Sequence, residues 1–193
     1  MVKDLMNKMD FPRFELVTQY QEQKDLLPKR ATIGSAGYDF KAAEDIIIPA
    51  YFKPEGKGYN FLNNELLFSD SPEPYTLNEI STMTKKHDIK PTLVPTGIKA
   101  YIPREMYLQI QVRSSLPLKH WLIQTNAPGI IDSDYYNNSD NEGHIFFQLI
   151  NLSPRDIIIQ KGERIGQGIF LPYYTLSGDH SVGKRLGGFG STS

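Results

Sequence analysis

An all-β domain, a sandwich or a jelly-roll-like barrel, is what this chain predicts, and three observations carry the prediction. Apolar residues recur at every second place in several short runs. Turns rich in Gly, Pro or Asn separate those runs at short intervals, and no helix-strand alternation points to a parallel sheet. With 193 residues, 39% of them hydrophobic, the chain suits one domain, 1–193, large enough to bury a core. No internal repeat or low-complexity linker divides it.

Taken in order, the first turn signal is Gly37-Tyr38-Asp39. Ile98 to Ile102 and Met106 to Val112 then alternate as half-buried strands do. Arg113-Ser114-Ser115 follows the second strand directly, which places a guanidinium fork and two hydroxyls at a strand end where oxygens can be held. Between Asn126 and Tyr135, Pro128-Gly129 marks a turn and Ile130-Ile131 starts a short strand. Asp132 and Asp134, two apart, share a face of an extended chain. A hairpin is expected here, able to read a flat ligand with backbone groups while a carboxylate waits beside it. Ile145 to Ile150 and Asp156 to Ile159 read as strands buried more completely. At the C-terminus, Gly187, Gly188 and Gly190 around Phe189 make 184–193 a mobile glycine-rich tail. It is either a plain disordered end or a segment that offers an aromatic face and closely spaced N–H groups to a ligand.

One region breaks the pattern. Within the 74 positions from Asp39 to Arg113 (113 − 39), the segment 50–88 does not follow the alternation of short strands. Its first half, with Pro54, Gly56, Gly58, Pro72 and Pro74, reads as a loop or small hairpin. Its second half reads as a short helix, with Thr76 and Glu79 as a capping box, Leu77, Ile80 and Met83 at helical spacing, and Lys85, Lys86 and His87 at the C-terminal end. Such a helix either covers the barrel or serves a partner or the edge of a site.

Composition excludes several classes. Without cysteine there is no disulfide framework, thiol nucleophile or cysteine metal site. A net charge of −1 and a pI near 6.4 leave no electrostatic footprint for duplex nucleic acid, although a local basic pocket for a triphosphate is compatible with them. Met1 to Asp10 lacks a signal-peptide core and no run approaches 18 apolar residues, so no membrane association and a cytoplasmic location are expected. Gly178 to Lys184 nearly spells a phosphate-binding P-loop. Arg185 stands where Ser or Thr should hold magnesium, and no helix can follow. His87, His120, His144 and His180 lack zinc-site spacing and read as surface or packing residues.

Five segments in order, Ser35 to Phe40, Arg113 to Leu116, Asn126 to Tyr135, Gly162 to Gln167 and Arg185 to Ser193, resemble the motif set of the homotrimeric dUTPase family, of phage or Gram-positive bacterial type. The resemblance spans about Arg13 to Ser193 apart from the insertion. It implies a dUTPase-like jelly-roll or β-clip barrel with a short helical insertion. The implied reaction is hydrolysis of dUTP to dUMP and pyrophosphate, with Mg²⁺ carried on the triphosphate. By resemblance Asp132 is the general base that activates water for attack on the α-phosphate, and Tyr135 lies beneath the deoxyribose and excludes a 2′-hydroxyl. Asn126 and the hairpin backbone at Gly129 and Ile131 bond the uracil edge. Arg113, Ser114 and Ser115 hold phosphates, although the family often has Gly where Ser115 stands. Gln167 assists with phosphates or water, preceded by Gly166 where alanine is usual. Asp39 touches the metal's water shell. Phe189 stacks on the base while Gly190, Ser191 and Thr192 bind phosphate. The γ-phosphate goes to Arg185 or Lys184, because the usual arginine position, five before the phenylalanine, holds Lys184. The resemblance further implies a homotrimer whose sites lie between subunits, each closed by a tail.

Two rivals stay open. A dCTP deaminase of the same fold shares Arg-Ser-Ser, but is expected to place a glutamate in the hairpin and to lack the tail; Asp132 to Tyr135 and Phe189 argue against it. A regulatory module of this fold would bind a protein partner, through 50–88 for example, with or without catalysis.

Overall fold

The computed structural model describes residues 11–51, 59–60, 65–66, 90–183, 185 and 187. Among them the chain forms thirteen strands and one short helix: β1 (Arg13–Leu16), β2 (Tyr38–Lys41), β3 (Ile46–Ile48), β4 (Tyr59–Asn60), β5 (Glu65–Leu66), β6 (Thr92–Pro95), β7 (Ile98–Tyr101), β8 (Met106–Val112), α1 (Ser115–His120), β9 (Leu122–Gln124), β10 (Gly129–Ile131), β11 (Phe146–Asn151), β12 (Ile157–Ile159) and β13 (Arg164–Pro172). Every strand pair is antiparallel. A four-stranded sheet runs β10-β8-β13-β2, a three-stranded one β6-β11-β9, and the pairs β1-β7, β3-β12 and β4-β5 complete the set. No helix among the described residues is long and apolar enough to cross a membrane.

Alternation explains the core. On β8, Leu108 and Ile110 are fully buried, and they pack with Phe40 of β2, Phe147 and Leu149 of β11, and Ile98 of β7. The two larger sheets meet at β13. A Cβ on Gly166 would stand 2.2 Å from the Phe147 ring, and one on Gly168 would stand 2.7 Å from the Phe40 ring. Both glycines therefore leave room for aromatic rings that themselves meet edge-on at 5.8 Å. At Gly166 the Phe147 ring fills the place that a methyl would take.

Three local expectations are corrected. β11 alternates buried and half-buried residues rather than being buried throughout, and in β12 Ile158 is 62% exposed opposite Ile47 at 58%. A short run of isoleucines reads alike whether one or both faces are covered, and β12 belongs to a two-stranded sheet with one face on the core. The segment 122–131 is not a ladder hairpin: β9 pairs with β11 and β10 with β8, so its two arms join different sheets as an arch. Asp132 and Asp134 do not sit on an extended chain either, because Ser133–Tyr135 coils into a 3-10 turn with the Tyr135 N–H donating to the Asp132 carbonyl at 3.1 Å.

Of the insertion 50–88, the structure describes Ala50, Tyr51 and the backbone pair β4-β5; the helix expected over 76–87 lies outside the described residues. Ala50 and Lys90 line one cavity beside Ile48 and Leu149, so the chain leaves the barrel and rejoins it at the same place.

Candidate active site

Among the described residues β10 is an edge strand whose one ladder partner is β8, so one row of its backbone N–H and C=O groups lacks a ladder partner there. Gly129 is held close against β8, since a Cβ there would stand 2.8 Å from Ile110 Cγ1, and Ile131 points into the core. At the start of β10, exposed Asn126 accepts a hydrogen bond on Oδ1 from Gln124 Nε2 at 3.4 Å. At its end, the Asp132 and Asp134 side chains are 52% and 56% exposed.

Tyr135 is buried and its ring is locked. Its hydroxyl donates to the His144 carbonyl at 2.8 Å and accepts from Asn141 Nδ2 at 2.9 Å, and burial raises the phenol above its ordinary pKa. His144 is a packing residue, as expected. Its Nε2 accepts the Gly97 N–H at 2.8 Å, its ring lies against Phe146 and Tyr20, and burial pushes its pKa down to about 4. A neutral imidazole is what that acceptor role requires. The sequence did not single out Asn141 or Gln124; the one available signal was an amide in the apolar run Leu122-Ile123-Gln124.

The tail returns to this end of the arch. Arg185, whose side chain is 12% exposed, donates Nε to Asp134 Oδ1 at 2.8 Å and Nη2 to Asp132 Oδ2 at 2.5 Å, with its guanidinium 5.6 Å from the Tyr135 ring centre. One planar fork thus engages both carboxylates. Lys184, Phe189, Gly190, Ser191 and Thr192 lie outside the described residues.

The other candidates gather elsewhere. Arg113 follows β8, its N–H donating to the Ile165 carbonyl at 3.2 Å and its Nη1 to the Arg164 carbonyl at 3.4 Å. Ser114 is exposed, and Ser115, half-buried, begins α1. Gln167 pairs in register with Asp39 and Gln111, and its side chain lies over Gly37, where a Cβ would stand 2.3 Å from its Oε1. Asp39 Oδ2 accepts Arg164 Nη1 at 3.0 Å. This cluster holds two guanidinium groups, exposed or half-buried hydroxyls and an amide, a donor-rich set suited to phosphate oxygens.

The chain does not bring the two groups together. Ile131 pairs with Leu108, so Asp132 lies beyond the N-terminal half of β8, while Arg113 lies beyond its C-terminal end. Between Leu108 and Arg113 run about five residues of strand, roughly 17 Å. Asn126 and Asp132 bracket β10, one at the Arg113 end and one at the far end.

Among the described residues no three His, Cys, Asp or Glu side chains cluster as a metal site. Asp39, bonded to Arg164 and opposite Gln167, is a carboxylate within this cluster. A divalent ion held mainly by phosphate and water oxygens, with one carboxylate alongside, fits that donor set.

Comparison with known proteins shows what class of fold this is. Crystallised dUTPase from Streptococcus mutans superposes with a TM-score of 0.64 at 36% identity, covering 86% of this chain and 99% of the other. A dUTPase from phage phi11 of S. aureus, a variant whose structure concerns the coordination of a structural Mg(II) ion, shares the fold at a TM-score of 0.54 and 13% identity, covering 90% of this chain and 98% of the other. The family profile described as dUTPase matches residues 77–192. The deoxyuridine 5′-triphosphate nucleotidohydrolase of Lactococcus lactis is 38% identical over 181 residues, 93% of this chain and 95% of the relative. The chain belongs to the dUTPase family.

Proposed function

We propose that the protein hydrolyses dUTP to dUMP and pyrophosphate in sites shared between subunits of a homotrimer. The observation that carries this reading is the placement of the arch: a base-reading edge strand with Asn126 at one end and Asp132 at the other, and a locked tyrosine beside it. Uracil bonds backbone groups at Gly129 and Ile131 and the Asn126 amide. The deoxyribose rests on Tyr135, whose ring cannot retreat from a 2′-hydroxyl because its own hydroxyl is tied at both His144 and Asn141. That order brings the α-phosphate toward Asp132, which takes a proton from the attacking water held within about 3 Å.

Arg113, Ser114, Ser115 and Gln167 serve the phosphates, and their distance from Asp132 along β8 is why a second copy of the chain must supply them. Arg113, Ser114, Ser115 and Gln167 would share the phosphate charge with Mg²⁺ carried on the substrate, and Asp39 is the carboxylate that would hold that ion through water; the ion would supply charge neutralisation. The tail adds Phe189 on the base, and Gly190, Ser191 and Thr192 on phosphate. Arg185, which clasps Asp132 and Asp134 in the free chain, goes to the γ-phosphate when the tail closes.

The test is to incubate the protein and Mg²⁺ with dUTP, dCTP, dTTP and UTP and to identify the products. The expected result is dUMP and pyrophosphate from dUTP, with UTP and dCTP strongly disfavoured. Ammonia released from dCTP would make it a deaminase instead, and equal kcat/KM for dUTP and UTP would remove the role given to Tyr135.

A further inference from the structure

Gln124 is 3% exposed at the end of β9, and its amide lies where β9, β10 and β8 meet. Its Oε1 accepts the Val112 N–H at 3.0 Å, and its Nε2 donates to the Ile110 carbonyl at 3.3 Å and to Asn126 Oδ1 at 3.4 Å. Gly129 makes the space, since a Cβ there would stand 3.1 Å from that Nε2.

The direction of this chain of bonds is not free. The Val112 N–H can only donate and the Ile110 carbonyl can only accept, so the Gln124 amide has one orientation that satisfies both. The flipped amide would set donor against donor and acceptor against acceptor in a buried place. With Nε2 so fixed, its second hydrogen needs an acceptor, and Asn126 must present Oδ1 to it. With Oδ1 engaged by Gln124, the group that exposed Asn126 has left to offer a ligand is the Nδ2 donor.

We infer that Gln124 is a specificity-positioning residue: it locks the Asn126 amide with its donor outward, so that the site accepts the 4-oxo group of uracil and opposes the 4-amino group of cytosine. The inference rests on the reading of Asn126 as a base contact and adds its cause. An unlocked asparagine turns over at will and offers either a donor or an acceptor, and so discriminates little between the two bases. A locked one leaves a donor facing a donor when cytosine enters.

The experiment measures kcat/KM for dUTP and for dCTP, with Mg²⁺, on full-length protein. Gln124→Met keeps the length of the side chain and removes the lock, and is expected to lower the dUTP:dCTP ratio about tenfold. Made in an Asn126→Ala background, the same change should leave the ratio where Asn126→Ala put it. Asn126→Asp, at an exposed position, still accepts from Gln124 but presents only oxygen outward, and should lower the ratio tenfold or more even if Gln124→Met does not fold. A ratio unmoved by Gln124→Met in folded protein, or moved equally in the Asn126→Ala background, overturns the positioning role. A ratio unmoved by both Asn126→Asp and Asn126→Ala overturns the base contact and the lock with it. Neither result touches dUTP hydrolysis, which fails only if wild-type protein yields no dUMP.

Discussion

The arch that carries Asn126, Asp132 and Tyr135 and the tail that carries Arg185 are fastened to the barrel in opposite ways. Buried bonds fix the arch: Gln124 ties its start to β8, and the Tyr135 hydroxyl ties its end to His144 and Asn141. Each such bond contributes about 0.5–1.5 kcal/mol, and breaking one strands a buried polar group at about 1–3 kcal/mol. The tail is held by an arginine on two carboxylates that are more than half exposed. Pairs of that kind are worth about 0.2–1 kcal/mol each. On the proposed reading, rigidity is placed where the nucleotide would be read, and a weaker clasp where the tail would close.

The largest effect expected on the arch is chemical. Asp132→Asn should lower kcat for dUTP by roughly 10²-fold or more while nucleotide binding survives, seen as turnover lost with calorimetric affinity kept. Near-normal turnover in the folded variant removes Asp132 as the base.

Next comes the buried imidazole of His144, which accepts the Gly97 N–H. With its pKa pushed down to about 4, His144 stays neutral in the folded chain while the unfolded chain takes up a proton near pH 6.5. Its contribution is thus complete above that value and is lost as pH falls toward 4, amounting to roughly 3 kcal/mol. Urea midpoints of wild type and His144→Gln should diverge at pH 7 and converge as pH approaches 4. Parallel pH profiles for the two proteins contradict the account.

A smaller effect belongs to 50–88. Because Ala50 and Lys90 adjoin one cavity, a short turn can replace the segment, with dUTP hydrolysis kept within about tenfold, or about 1.4 kcal/mol in the barrier. Loss by orders of magnitude in a folded trimer would assign the segment to the active site. The smallest effect is on the clasp: Asp134→Asn should speed tryptic cleavage after Arg185 by up to about fivefold, the equivalent of one exposed ion pair, and leave the urea midpoint nearly unchanged. An unchanged cleavage rate would mean that the clasp does not hold the tail.

Much of this was legible in sequence because it depends on local period. β8 occupies the predicted Met106–Val112, and Arg113 follows it as expected. The arch reads as a hairpin in sequence because its two arms choose distant partners, β11 and β8, and no local signal encodes that choice. Gln124 escaped notice for the same reason, since a glutamine at a strand end looks solvated until β10 closes over it. The Asp132 and Asp134 spacing was legible, but their shared arginine comes from a tail some fifty positions away.

The most direct test of a site divided between chains is complementation. Arg113→Ala and Asp132→Asn protein, each inactive alone, are unfolded, mixed one to one and refolded together, and dUMP formation is measured on trimers shown by mass to contain both. In a trimer that contains both variants, one junction of the three joins intact Asp132 to intact Arg113, so about a third of wild-type activity should return. Mixed trimers with no more activity than either parent would show that base and phosphate donors act within one chain, against the placement of Asp132 and Arg113 at opposite ends of β8.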